Sequence, residues 1–129
     1  MASAVEIVSG RDVPVTIGPY SPATRVGERL CVYGQAGVDP DTGEPAGDGF
    51  GEQARQLFRN LEAVLRAGGS EPSLVASTTV LVADMDWFAE LNELFGEFFS
   101  ENPPARMTMQ VPLPKGLLIS IGCVAVVRG

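Results

Sequence analysis

The sequence predicts a single α+β domain, a mixed β-sheet with two helices packed on one face, in the order β-β-β-α-β-α-β-β. Three observations predict it. Segments 52–69 and 87–99 repeat apolar residues at three- and four-residue spacing, the period of a half-buried helix. Shorter runs before, between and after them are β-branched or alternate apolar with polar, the period of a strand. The 129 residues, 45% hydrophobic and 19% charged, suit one core, so residues 1–129 are expected to form one domain.

"SAVEIVS" (3–9) alternates and reads as the first strand. "TIGPYSPAT" (16–24) is Gly/Pro punctuation, a loop carrying Tyr20. "TRVGERLCVYGQAGV" (24–38) holds two β-prone runs around Val26-Gly27-Glu28-Arg29, a hairpin with Gly27 in the turn. "DPDTGEPAGDG" (39–49) has the residue types of a calcium loop but the wrong ligand spacing, and reads as a solvated loop. In 52–69, Ala54, Leu57, Phe58, Leu61, Val64 and Leu65 form one stripe, and Gly68-Gly69 supplies the stop.

"LVASTTVLVAD" (74–84) is almost continuously apolar or β-branched, which predicts a strand covered on both faces. Asp86 is the expected cap of helix 87–99. Its stripe of Trp87, Phe88, Leu91, Leu94, Phe95, Phe98 and Phe99 reads as core packing rather than a cofactor box. A strand opening at Arg106-Met107 and a long one, "LLISIGCVAVV" (117–127), complete the sheet. Two short helices cover only one sheet face. The apolar side chains of the other face predict oligomerisation.

Charge and residue inventory narrow the chemistry. A net charge of −7 and a pI near 4.4, with no Lys/Arg cluster, argue against nucleic acid as a partner. No basic amphipathic helix, membrane-length apolar run or signal-like start is evident, so a soluble, cytoplasmic chain is expected. With no histidine, Ser-His and Cys-His nucleophile pairs and His-based metal sites are excluded. Cys31 and Cys123 lack CxxC spacing and read as two buried thiols of a reducing compartment.

One residue stands out. In "PPARMTMQVPLPKG" (103–116), alternation puts Arg106, Thr108 and Gln110 on one strand face and Met107, Met109 and Val111 on the other. Arg106 admits two readings: a surface arginine whose stem covers apolar neighbours, or a planar fork that takes a carboxylate with two parallel hydrogen bonds.

The segments "IGPYSPA", "YGQ", "GEQARQLFRNLEAVLRAGGS", "DMDWFAELNELFGEFFSENPPAR" and "LPKGLLISIGCVAV" together resemble the RidA/YjgF family of reactive-intermediate deaminases, along nearly the whole chain. The resemblance implies a chorismate-mutase-like fold assembled as a homotrimer, with sites in the clefts between subunits. It also implies hydrolysis of enamines and imines such as 2-aminoacrylate to 2-oxo acids and ammonia, as in 2-iminobutanoate/2-iminopropanoate deaminases, with no cofactor and no metal. On that resemblance Arg106 binds the substrate carboxylate, with Tyr20, the Gly34 backbone and Asn92 at the site.

Three positions depart from the family's pattern. Ser120 stands where a glutamate commonly positions water, with Gly122 next on the same face. Tyr33, a further substrate-binding candidate large enough to reshape the pocket, stands where serine is frequent, and Thr108 where cysteine is common. Serine orients water but is no carboxylate base. Two functions therefore remain open: an imine deaminase, slow or specialised, with Arg106, Ser120 and Thr108 as catalytic candidates, or a non-catalytic trimer binding small carboxylates. A ribonuclease role, often attached to this family by name, fits poorly with the acidic charge.

Overall fold

A computed structural model describes residues 4–128 and contains a six-stranded mixed sheet backed by two helices. The strands are β1 (Glu6–Ile7), β2 (Ala23–Val26), β3 (Arg29–Ala36), β4 (Val75–Val82), β5 (Ala105–Gln110) and β6 (Ile119–Val126). The helices are α1 (Phe50–Ala67) and α2 (Phe88–Phe98). The sheet order is β1-β2-β3-β6-β4-β5. All pairs are antiparallel except β4–β5, which α2 joins as a parallel crossover.

The predicted α1 stripe is buried throughout. Leu57, Leu61 and Val64 share one core with Val80, Ile119, Ile121 and with Leu91 and Phe95 of α2, so both helices cover the same sheet face. Each such aliphatic side chain contributes about 1.5–3 kcal/mol by leaving water. Buried Gln53 fastens α1 to the turn before β6: its amide donates to the carbonyls of Gly47 (2.9 Å) and Gly116 (3.1 Å) and accepts from Leu118 N–H (2.8 Å). Asn60 donates likewise to the carbonyls of Ala36 and Val38, which ties the end of β3 to the helix layer.

Several expectations change. The first strand is paired only at Glu6–Ile7, and residue 3 of the expected run lies outside the described residues. Asp86 does not cap the second helix. Asp84 caps a short 3₁₀ turn, Met85–Trp87, by accepting from the Asp86 N–H, and α2 begins after it. β4 is covered on one face within this chain, not both: Val80 and Val82 are buried, whereas Ser77 is exposed and Thr79 and Leu81 are half-exposed.

Cys31 is half-exposed on the open sheet face, and only Cys123 is buried. They stand back to back: Cys31 pairs Val124 and Cys123 pairs Val32, on opposite faces, and both are free thiols. Burial, with Cys31 adding a little, pushes the Cys123 thiol up to about 12. In the 39–49 loop the Asp39 carboxylate accepts from the backbone of Asp41 and Thr42, the turn chemistry of a solvated loop. Among the described residues no helix is long and apolar enough to cross a membrane.

Candidate functional site

Pro103-Pro104 leads the chain into edge strand β5, and Arg106 is its second residue. β5 pairs with β4 so that Arg106 lies opposite Thr78 and Thr108 opposite Val80, both buried residues of the helix-covered face. Gln110, on the same side, accepts from the Met85 N–H at 2.7 Å and docks the entry to α2 on the strand. Arg106 therefore points under α2. Its Nη2 donates to Asn92 Oδ1 at 2.7 Å, and its guanidinium carbon lies 4.8 Å from the ring centre of Phe95 and 5.3 Å from that of Phe88. Burial draws its pKa down, yet guanidinium stays charged at neutral pH. Among the described residues no carboxylate forms an ion pair with it.

A second group lies on the open face. β3 carries a bulge, because Val32 pairs Cys123 and Gln35 pairs Ile121, leaving Tyr33 and Gly34 opposite Gly122 alone. Gly34 has φ +69°, a conformation that glycine adopts without steric cost. The Tyr20 ring lies 3.9 Å from where a Cβ on Gly34 would sit. Tyr33, 57% exposed, lays its ring on Gly122: a Cβ there would collide with Tyr33 Cδ1 and meet Cε1 at 2.8 Å. Ser120, paired with Ala36 and Leu81, shares this face.

One chain thus brings Arg106, Asn92 and Thr108 to one side of the sheet, and Tyr20, Tyr33, Gly34 and Ser120 to the other. β4 pairs with both β5 and β6, so Arg106 and Ser120 are two strand spacings apart, about 10 Å, and about 10 Å apart along the strands. They do not meet in one chain. The groove between loop 14–17, Tyr20 and Gly34–Ala36 holds about 20 Å³, space for a water and not for a 2-oxo acid. A roomier trough of about 470 Å³ beside Arg11, Arg59 and Arg66 shares no residue with either group.

Sequence reasoning missed two features. Phe88 was placed in the core stripe; it is 42% exposed, its ring beside Arg106. The signal was the spacing Phe88, Asn92, Phe95, which puts all three on one helix face. The other is that strands β2 to β6 contain no Asp or Glu at all, so the strands that carry Arg106 and Ser120 offer no carboxylate base.

The fold and these residues define a small α+β domain with a half-exposed arginine under α2 at its sheet edge and a glycine bulge on its open face. Residues 10–127 match the family model described as Endoribonuclease L-PSP, and the chain belongs to that family, the RidA/YjgF family. It is 40% identical over 121 residues to the human 2-iminobutanoate/2-iminopropanoate deaminase, covering 93% of this chain and 88% of the relative. The crystal structure of RidA from an Antarctic Psychrobacter is similar with TM-score 0.89 and 36% identity, covering 95% of this chain and 99% of the other. E. coli TdcF with bound serine superposes with TM-score 0.86 at 32% identity, with the same two coverages.

Proposed function

We propose that this chain is an imine/enamine deaminase converting small 2-imino acids to 2-oxo acids and ammonia, at sites completed by a second copy of the chain. The observation that carries this is Arg106, a half-exposed guanidinium held by Asn92 and two rings, with no ion pair to a carboxylate among the described residues. Such a fork takes a carboxylate through two charge-assisted hydrogen bonds. The relatives named as deaminases, and the serine-bound TdcF, support a small amino-acid-like ligand.

In this reading Arg106 of one chain fixes the carboxylate, and a neighbouring chain's bulge offers the Gly34 backbone and the Tyr20 ring. The enamine first takes a proton at C3 to become the imine. Water, oriented by the Ser120 hydroxyl, adds to C2 of the protonated imine. The nitrogen of the resulting carbinolamine gains a proton, the C–N bond breaks, and ammonia leaves as the hydroxyl loses its proton to form the ketone. Thr108, on the Arg106 side, contributes a hydroxyl to the wall of the cleft.

The assembly proposed is a chorismate-mutase-like homotrimer. Its support is the uncovered sheet face, where Met107 (60% exposed), Met109, Leu81, Val124 and Tyr33 lie together, and the separation of the two groups of site residues. The net charge of −7 and two free thiols fit a cytoplasmic protein working on a metabolite. The same charge disfavours RNA as substrate, whatever the family is called.

A second reading, a carboxylate-binding trimer without turnover, is favoured by one observation: strands β2 to β6 carry no acid, and Ser120 stands where the family resemblance implies a glutamate. A dehydratase generating 2-aminoacrylate from serine separates the two. Added protein is expected to speed the appearance of ammonia and pyruvate, more weakly than a carboxylate-equipped relative by about 10²-fold. An unchanged rate with folded protein transfers the conclusion to the binding reading.

A further inference from the structure

We propose that Phe88 is a positioning residue for Arg106: its exposed ring and Phe95 confine the guanidinium so that one two-donor edge remains turned toward the ligand. The inference rests on the reading of Arg106 as the carboxylate-binding group.

Phe88, Asn92 and Phe95 lie four and three residues apart, on one face of α2 above Arg106. Their burial differs sharply. Phe95 is 7% exposed and sits in the core, so its ring has a packing role apart from Arg106. Phe88 is 42% exposed at the first residue of the helix, and its ring lies 5.3 Å from the guanidinium carbon. A ring facing water at a helix start stabilises the core little. Beside a cation it attracts through its quadrupole and shields one side from hydration.

The donors can be counted. A guanidinium has five N–H groups arranged as two forked edges and one further N–H. Asn92 takes one hydrogen of Nη2, which occupies one edge. The other edge stays whole, and no carboxylate among the described residues pairs with it. A ring touches the guanidinium's π face or borders it, but takes none of its donors. The rings therefore restrict rotation about the end of the side chain without competing for the ligand. A leucine at 88 would keep the apolar cover of the helix start and lose the quadrupole.

The test uses the full chain with 2-oxobutanoate as probe. Phe88→Leu is expected to lower its affinity about tenfold and Phe88→Tyr to stay within about twofold of wild type, in line with a partly desolvated cation–π contact. In imine turnover, KM should rise for Phe88→Leu while kcat changes little. Hydrogen exchange at the Arg106 Nε–H, followed by NMR without ligand, should quicken in Phe88→Leu, a change that helix packing alone would not produce. If Phe88→Leu binds like wild type while Arg106→Ala does not bind, the positioning role is overturned and the carboxylate reading stands. If Arg106→Ala itself binds like wild type, both are overturned.

Discussion

Replacing Arg106 by alanine is expected to weaken binding of a small 2-oxo acid by about 1.5–3 kcal/mol, the range for hydrogen bonds to a charged group. Everything near Arg106 points to a cation kept for a ligand. Its strand places it on the helix-covered face, opposite buried Thr78, where half-exposure removes part of its hydration. It has one amide oxygen and two rings for company, and no ion pair among the described residues. Arg106→Lys should recover only part of the loss, because an ammonium is a point donor without the planar fork. Calorimetry on the three proteins decides it; equal affinity for wild type and Arg106→Ala removes Arg106 from the site.

Introducing a carboxylate at residue 120 should raise imine hydrolysis, by about 10²-fold if water activation is limiting, the lower end for general-base catalysis. The positions on β6 are not equivalent. Ser120 is half-exposed on the open face, opposite Ala36 and Leu81. Gly122 is buried under Tyr33, and any Cβ there collides with the ring. Ser120→Glu is therefore expected to be accepted alone, whereas Gly122→Glu should disturb β3 unless Tyr33→Ser is made with it. Ammonia release from 2-iminobutanoate by wild type, Ser120→Glu and Ser120→Glu with Tyr33→Ser gives the comparison. If neither variant exceeds wild type while both remain folded and assembled, the missing glutamate is not what limits this chain.

The helices and the hairpin were legible because periodicity is local. All six residues of the α1 stripe are buried, and Gly27, at φ +58°, makes the β2–β3 turn as its flanking runs implied. The cap of α2 was not. Asp84 and Asp86 are equally good cap residues by type, but Asp84 caps the intervening 3₁₀ turn and α2 starts after Trp87 without a side-chain cap. The continuous apolar run of β4 implied cover on two faces, which one chain provides on one.

For the site, alternation grouped Arg106 with Thr108 and Ser120 with Gly122. It could not say that the first pair faces the helices and the second faces away. That depends on the sheet order, with β4 inserted between β6 and β5, a long-range pairing that no local pattern records. Phe88 was misplaced for a related reason. An aromatic at helical spacing reads as core until the strand beneath it is known to carry a cation.

The central claim is that the Arg106 half of the site on one chain meets the Tyr20, Gly34 and Ser120 half of another. A crystal structure with 2-oxobutanoate bound measures this directly. The account predicts three chains around a threefold axis, each ligand carboxylate forked by Arg106 of one chain, its carbonyl end against Tyr20, Gly34 and Ser120 of the next. A ligand held wholly within one chain, or bound away from Arg106, would contradict it.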